Sequence, residues 1–175
     1  MILFSSAIEL NGKNINKMNK LIIQIDMDGV LVDFQSGIDA TPEDLRRKHE
    51  DAKDEIPGIF SRMKPMEGAV DAFKKLSANY DIYICSTAPW ENPSAWSDKR
   101  IWVEKYLGEE AKKRLTLTHH KNLVIGDYLI DDRKANGAGK FKGEHIHFGV
   151  DYKTRKENPF PTWKSVLDYL EPASI

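Results

Sequence analysis

An α/β fold, with a central parallel sheet and helices on both of its faces, is what this sequence predicts, and three observations predict it. Short apolar runs alternate with helical patterns, the order that builds parallel β-α units. The first run, Leu21-Ile22-Ile23-Gln24-Ile25, is almost continuous, which suits a strand covered on both faces. The first three strands each finish in a polar cluster: Asp26/Asp28, Ser86/Thr87 and Asp131/Asp132. Ligands of open parallel sheets bind beyond the carboxyl ends of the strands, so the three clusters are expected to meet in one crevice.

The elements follow in order. After the first strand, Thr41-Pro42-Glu43-Asp44 predicts a helix start, with Thr41 as N-cap, Pro42 at the first position and acid in the first turn. Leu45 to Glu55 is charged with little apolar face, so this helix is expected at the surface, and Pro57-Gly58 stops it. A second helix is predicted over Glu67 to Ala78, through Val70, Phe73, Lys74 and Leu76. Asp81-Ile82-Tyr83-Ile84-Cys85 reads as a buried strand, and Ser97 to Tyr106 as a helix through Ile101, Trp102, Lys105 and Tyr106. Tyr128-Leu129-Ile130 and His145-Ile146-His147-Phe148 are further strands, and Thr162 to Leu170 closes the chain as a helix.

A length of 175 residues suits one domain. The net charge of -1, with signs mixed along the chain, argues against a nucleic-acid polymer as partner. A local cluster of Lys and Arg still suffices for a small anion. Cys85 is the one cysteine, so no intrachain disulfide forms, in keeping with a reducing cytoplasm. The opening MILFSSAIEL lacks the basic start of a signal peptide, and no apolar stretch approaches the ~20 residues that span a bilayer. A cytoplasmic protein without membrane contact is expected. Residues 1–18 read as a flexible leader, with Met18 a second candidate translation start. A homodimer is left open.

Four carboxylates in one crevice repel one another unless a cation gathers them. All-oxygen ligands favour Mg²⁺, which also shares the oxygens of a phosphate. Around such an ion Asp26 can attack phosphorus as a nucleophile, and Asp28 can serve the leaving group as acid and then water as base. Gly29 permits a sharp turn beside the phosphate. Ser86 and Thr87 offer donors to phosphoryl oxygens, and Lys121 is the best-placed cation to offset charge.

Asp26-Met27-Asp28-Gly29-Val30-Leu31-Val32-Asp33-Phe34, Cys85-Ser86-Thr87-Ala88-Pro89, Lys121 and Gly126-Asp127-Tyr128-Leu129-Ile130-Asp131-Asp132-Arg133 resemble the four ordered motifs of the haloacid dehalogenase-like (HAD) superfamily. Within it, the details resemble the 5'(3')-deoxyribonucleotidase family, from about residue 21 to the last helix, including Trp102 to Gly108 and Trp163. The resemblance implies a Rossmann-like three-layer core, residues 19–34 and 65–175, with a small helical cap, residues 35–64, inserted after the first strand. It implies Mg²⁺-dependent dephosphorylation of nucleoside monophosphates, pyrimidine deoxyribonucleotides above all, through an aspartyl-phosphate. It makes Asp26 the nucleophile and Asp28 the acid/base. Ser86, Thr87, Lys99 and Lys121 hold phosphate, and Asp26, Asp28 and Asp132 bind the metal with Asp131 supporting them. Phe34 flanks the base or sugar, and Arg133 joins the pocket. The segment Trp90 to Ser97 departs from the family pattern, which bears on base specificity.

Other readings stand beside this one. A calcium loop needs Gly at its sixth position, and Gly29 is fourth. A glycosyltransferase Asp-x-Asp lacks room for a second nucleotide-binding half. A sugar-phosphate phosphatase, a phosphotransferase and a catalytically idle nucleotide-binding module remain as alternatives. Trp90 and Trp96 either stack on a nucleobase or cover the core. Asp127 reads as a turn or supporting residue and Cys85 as inert packing. His119 and His120 lack a third metal ligand nearby, and His145 and His147 share a face of what reads as an edge strand.

Overall fold

Ile23, Gln24 and Ile25 of β1 (Ile22–Ile25) are all buried, and neighbours along a strand face opposite ways, so both faces of the sheet are covered at its centre. The computed structural model describes residues 20–151 and 153–171, and the leader expected over residues 1–18 lies outside them. Beyond β1, the antiparallel pair β2 (Val32–Asp33) and β3 (Lys64–Pro65) brackets three short helices. These are α1 (Phe34–Asp39), α2 (Glu43–Lys48) and α3 (Ile59–Arg62). Then α4 (Ala69–Asn79) leads into β4 (Asp81–Ser86), and α5 (Ser94–Leu107) into β5 (Leu115–Leu117). β6 (Tyr128–Asp131), β7 (Glu144–His147) and α6 (Trp163–Leu170) follow.

The main sheet runs β5-β4-β1-β6-β7, with every neighbouring pair parallel. The chain therefore builds outward from β1 on one side, through β4 and β5, and returns to build outward on the other. That reversal places a crevice at the carboxyl end of β1, the usual ligand position in such sheets. Register levels the tips: Ile25 pairs with both Ile84 and Ile130, and the Asp26 amide donates to the Ile130 carbonyl at 2.9 Å.

The α/β architecture agrees with the sequence, but several boundaries and phases differ. The helix expected to run on to Glu55 ends at Lys48 and is followed by a 3-10 turn, Lys53–Glu55. No residue of α2 is buried, so no packed face extends it. Thr41 is not its N-cap; its hydroxyl donates back to the Gly37 carbonyl at 2.7 Å. The next helix begins at Ala69, after Gly68 at φ +74°. On α5 the buried set is Ala95, Lys99, Trp102, Val103 and Leu107, whereas Ile101, placed by the sequence on the inner stripe, is half exposed. The true inner face thus carries a lysine. β5 was not anticipated, being three residues long and only half-buried at the sheet edge. The closing helix matches well: the Thr162 side chain accepts from the Ser165 amide and the Ser165 hydroxyl from the Thr162 amide, a reciprocal cap.

Candidate active site

At the tip of β1 the chain turns back at once, with Val30 and Val32 amides both donating to the Met27 carbonyl, at 3.1 and 2.8 Å. The turn needs Gly29. Its φ is +76°, and a Cβ built there lies 2.6 Å from Asp132 Oδ2. Gly29 therefore lets the β1 loop and the Asp132 carboxylate come together. Asp26, Asp131 and Asp132 each offer a carboxylate oxygen within 4.8 Å of the others.

Two buried lysines divide the negative charge. Lys121 Nζ lies 2.9 Å from Asp26 Oδ1 and 2.5 Å from Asp131 Oδ2. Burial alone lowers an ammonium's pKa, but these two carboxylates outweigh it and raise that of Lys121. Lys99 reaches from the inner face of α5 to Asp28 Oδ2 at 2.7 Å and Ser86 Oγ at 3.1 Å, with the Phe60 ring centroid 4.3 Å from its Nζ. Burial raises the Asp28 pKa, Lys99 pulls it down, Asp26 adds to the rise, and the net direction is upward. Burial and then Asp26 push Asp131 up to about 6 and Asp132 up to about 7.

A cavity of about 650 Å³ opens above these groups. Of the residues singled out in the sequence, Asp28, Gly29, Phe34, Thr87, Trp90, Asp132 and Arg133 line it, as does His119, which the sequence weighed only as a metal ligand. Asp26, Ser86, Lys99, Lys121 and Asp131 are buried and do not appear in its lining. Lys99, expected on phosphate, has no exposed surface and engages Asp28 and Ser86. The Thr87 hydroxyl donates to the Thr118 carbonyl at 2.9 Å. Trp96, expected as a candidate wall, is not part of the lining: with Ala95 and Lys99 facing inward, the helical phase turns it outward, 39% exposed. Trp90 stands at the cavity, 75% exposed, edge-on to His119 with ring centroids 6.3 Å apart.

Sequence reasoning missed several lining residues: Lys53, Asp54, Glu55, Glu91 and Asn136. Buried Asn92 brings two of these loops together, its side-chain amide donating to the carbonyls of Asp54 and Ile56 at 2.8 and 3.0 Å. No local motif signals that contact between residues 36 and 38 positions apart. Elsewhere, Asp127 accepts from the Ile22 amide at 2.7 Å, a supporting role, and burial pushes Cys85 up to about 12, leaving it an unreactive thiol.

The donor set fits a divalent cation. Among the described residues, Oδ1 of Asp26, Asp28 and Asp132 are buried without an aligned hydrogen bond, although Lys121 stands 2.9 Å from the first as an ion pair. Arg133 Nε is 3.8 Å from the last. Such orphaned carboxylate oxygens, with no thiol or imidazole among them, suit Mg²⁺. Both Asp131 oxygens are taken, by Lys121 Nζ and the Arg133 amide.

Comparison with known proteins gives the family. A family profile described as "5' nucleotidase, deoxy (Pyrimidine), cytosolic type C protein" matches residues 41–170. A Vibrio phage KVP40 protein assigned the name 5'(3')-deoxyribonucleotidase is 58% identical over 154 residues, covering 88% of this chain and 86% of its own. The human 5'(3')-deoxyribonucleotidase, cytosolic type, is 29% identical over 180 residues, covering 85% of this chain and 89% of its own. Among solved structures, the HAD-hydrolase YfnB from Bacillus subtilis, bound to magnesium, shares a TM-score of 0.58 at 9% identity. That match covers 88% of this chain and 100% of the other, and shows the fold alone. The chain belongs to the 5'(3')-deoxyribonucleotidase family of HAD-like hydrolases and is a phosphoric monoester hydrolase.

Proposed function

We propose that this enzyme hydrolyses nucleoside monophosphates in a Mg²⁺-dependent reaction, with pyrimidine deoxyribonucleotides as its preferred class. The observation that carries the reading is the Asp26 carboxylate, buried beside Lys121 at the strand switch point and next to Asp132, beneath a cavity of about 650 Å³. Cavities of roughly 300–1,000 Å³ hold small ligands of nucleotide size. The preference for pyrimidine and deoxyribose rests on the description of the matching family and the names of the relatives.

Each residue's part follows from its partners. Asp26 attacks phosphorus, so that an Asp26 oxygen–phosphorus bond forms while the bond from phosphorus to the nucleoside oxygen breaks. Asp28, whose raised pKa favours its protonated form, gives its proton to that leaving oxygen. It then takes a proton from water, which attacks phosphorus, and the bond to Asp26 breaks to release phosphate. Lys121 offsets the charge between Asp26 and the phosphoryl group, and Asp131 holds Lys121 in place. Lys99, through its contact with Asp28, steadies the acid/base group. Asp26 and Asp132 would hold Mg²⁺ through carboxylate oxygens that lack an aligned hydrogen bond, Asp28 would join them through its backbone carbonyl, and Asp131 would support them. When bound, that ion supplies positive charge against the phosphoryl oxygens.

Residues 35–64 act as the cap, bringing Lys53 to Glu55 to the lining of the cavity. A panel of phosphate esters tests the proposal: dUMP, dTMP, dCMP, their purine and ribose counterparts, and sugar phosphates, with Mg²⁺ or with chelator. The highest kcat/KM is expected for a pyrimidine deoxyribonucleotide, lost on chelation and lost in Asp26→Asn. Turnover that survives that substitution, or a preference for sugar phosphates, overturns the reading.

A further inference from the structure

We propose that His147 is a positioning residue for the acidic pair at the tip of β6, setting Asp132 where its free oxygen can join a divalent-cation site. The inference rests on the reading of Asp132 as a Mg²⁺ ligand. His145 and His147 are two apart on β7 and so share one face, with ring centroids 5.2 Å apart. His145 Nε2 lies 3.1 Å from the Asp131 carbonyl, and His147 Nε2 lies 3.0 Å from the Asp132 carbonyl. A carbonyl oxygen only accepts, so each Nε2 carries the proton and donates.

The two contacts are unequal. Asp131 pairs with His147 in the strand register, and its carbonyl also accepts from the Phe148 amide at 3.0 Å. Its side chain is fixed independently by Lys121 and by the Arg133 amide. Asp132 lies one residue past the end of that ladder, and among the described residues the donor to its carbonyl is His147. Among the described residues its Oδ1 has no hydrogen bond, only the Arg133 Nε ion pair at 3.8 Å, so the carboxylate's aim depends largely on the backbone that carries it. The imidazole fixes that peptide plane from the β7 side, while the close approach of Gly29 confines Oδ2 from the β1 side. Groups behind metal ligands act in this way by limiting orientation, and losing one typically weakens metal binding about 10- to 100-fold.

The test uses Mg²⁺ alone, without substrate, and reads the concentration at half-maximal rise in Tm. His147→Ala is expected to raise that midpoint about tenfold. His147→Gln, whose amide reaches the same carbonyl, stays within about threefold of wild type, and the shorter His147→Asn behaves like alanine. His145→Ala shows a smaller shift, because Asp131 keeps its other partners. Where His147→Ala folds poorly, the Gln and Asn pair decides. Midpoints unchanged in all variants, even with a lower metal-free Tm, overturn the inference, as do equal losses from the two alanine variants. A wild-type protein whose Tm ignores Mg²⁺ overturns the metal reading of the site first, and this inference with it.

Discussion

The floor of the active-site cavity and its outer wall are built on opposite principles. On the floor, Asp28 and Asp131 each touch a buried lysine, Asp26 shares one, and the carboxylates sit on strand tips whose register is fixed by the sheet. On the wall, Asp54 and Glu91 are exposed, and Trp90 is 75% exposed on a loop. The one cation of the 53–55 turn, Lys53, points its ammonium at the Arg46 carbonyl, 2.6 Å away. Where charges are buried and mutually compensating, removing one damages the whole set. Where they are solvated, each contributes little by itself. On the proposed reading the floor carries the reaction, and the wall selects which molecule undergoes it.

The contrast breaks most visibly at Lys121. Lys121→Met leaves Asp26 and Asp131 buried and facing one another without their shared cation. Breaking a buried pair by removing one partner costs about 3–5 kcal/mol, so the metal-free protein should melt well below wild type. Turnover should fall by about 10²–10³-fold, the usual loss when a well-aimed charge donor goes. Denaturant unfolding with and without Mg²⁺ measures the first effect and kcat the second. A variant as stable as wild type would remove the distinction between floor and wall.

The same division explains what could be read from sequence. Asp26, Asp28, Asp131 and Asp132 were legible because strands of a parallel sheet end at one edge, and a residue's place after an apolar run fixes its place in space. Lys121 was legible as the charge those carboxylates require. The inner position of Lys99 was not legible from periodicity, because Ile101, Trp102 and Tyr106 suggest a different apolar phase for α5. The helix follows the Ala95-Lys99-Trp102-Val103 face, since a lysine satisfied by Asp28 and Ser86 can be buried there. Glu55 and Glu91 could not be assigned because loops brought together by Asn92 carry no periodic signal. The contacts of His145 and His147 were hidden for a similar reason: their partners are backbone carbonyls at and just past the tip of a neighbouring strand.

The floor should also respond to pH in a way the wall does not. Burial and Asp26 raise the Asp132 pKa to about 7 from an ordinary 3.8. A raised carboxyl pKa means that the metal-free fold binds a proton more tightly than the unfolded chain. That contribution to stability is full below about pH 4 and is lost as pH climbs through about 7. Mg²⁺ favours the ionised form, so below pH 7 it must displace that proton. The Mg²⁺-induced rise in Tm should therefore grow between pH 5.5 and 8. Apparent Mg²⁺ affinity should increase by up to about tenfold per pH unit on the acidic side. Thermal titrations at several pH values check this, and a pH-independent response would mean the carboxylates are not crowded as described.

The smallest expected effect belongs to the wall. A substrate carrying a second phosphate on its nucleoside would bring that charge toward Asp54, Glu55 and Glu91, since Lys53 is turned to a backbone carbonyl. Like charges near one another disfavour binding, and salt screens them over roughly 10 Å at 0.1 M. The wild-type enzyme should therefore prefer a nucleoside monophosphate over the matching 3',5'-bisphosphate, and prefer it less as salt rises. Asp54→Asn/Glu55→Gln/Glu91→Gln should narrow the kcat/KM ratio by about two- to fivefold at low salt, the scale of exposed charge interactions. Its stability should move by no more than about 0.5 kcal/mol, because these side chains lie away from the packed core. A ratio unaffected by either the substitutions or salt would mean that the wall selects by shape alone. The exposed face of Trp90 would then be the feature to test, since it is the large apolar surface left at the cavity mouth.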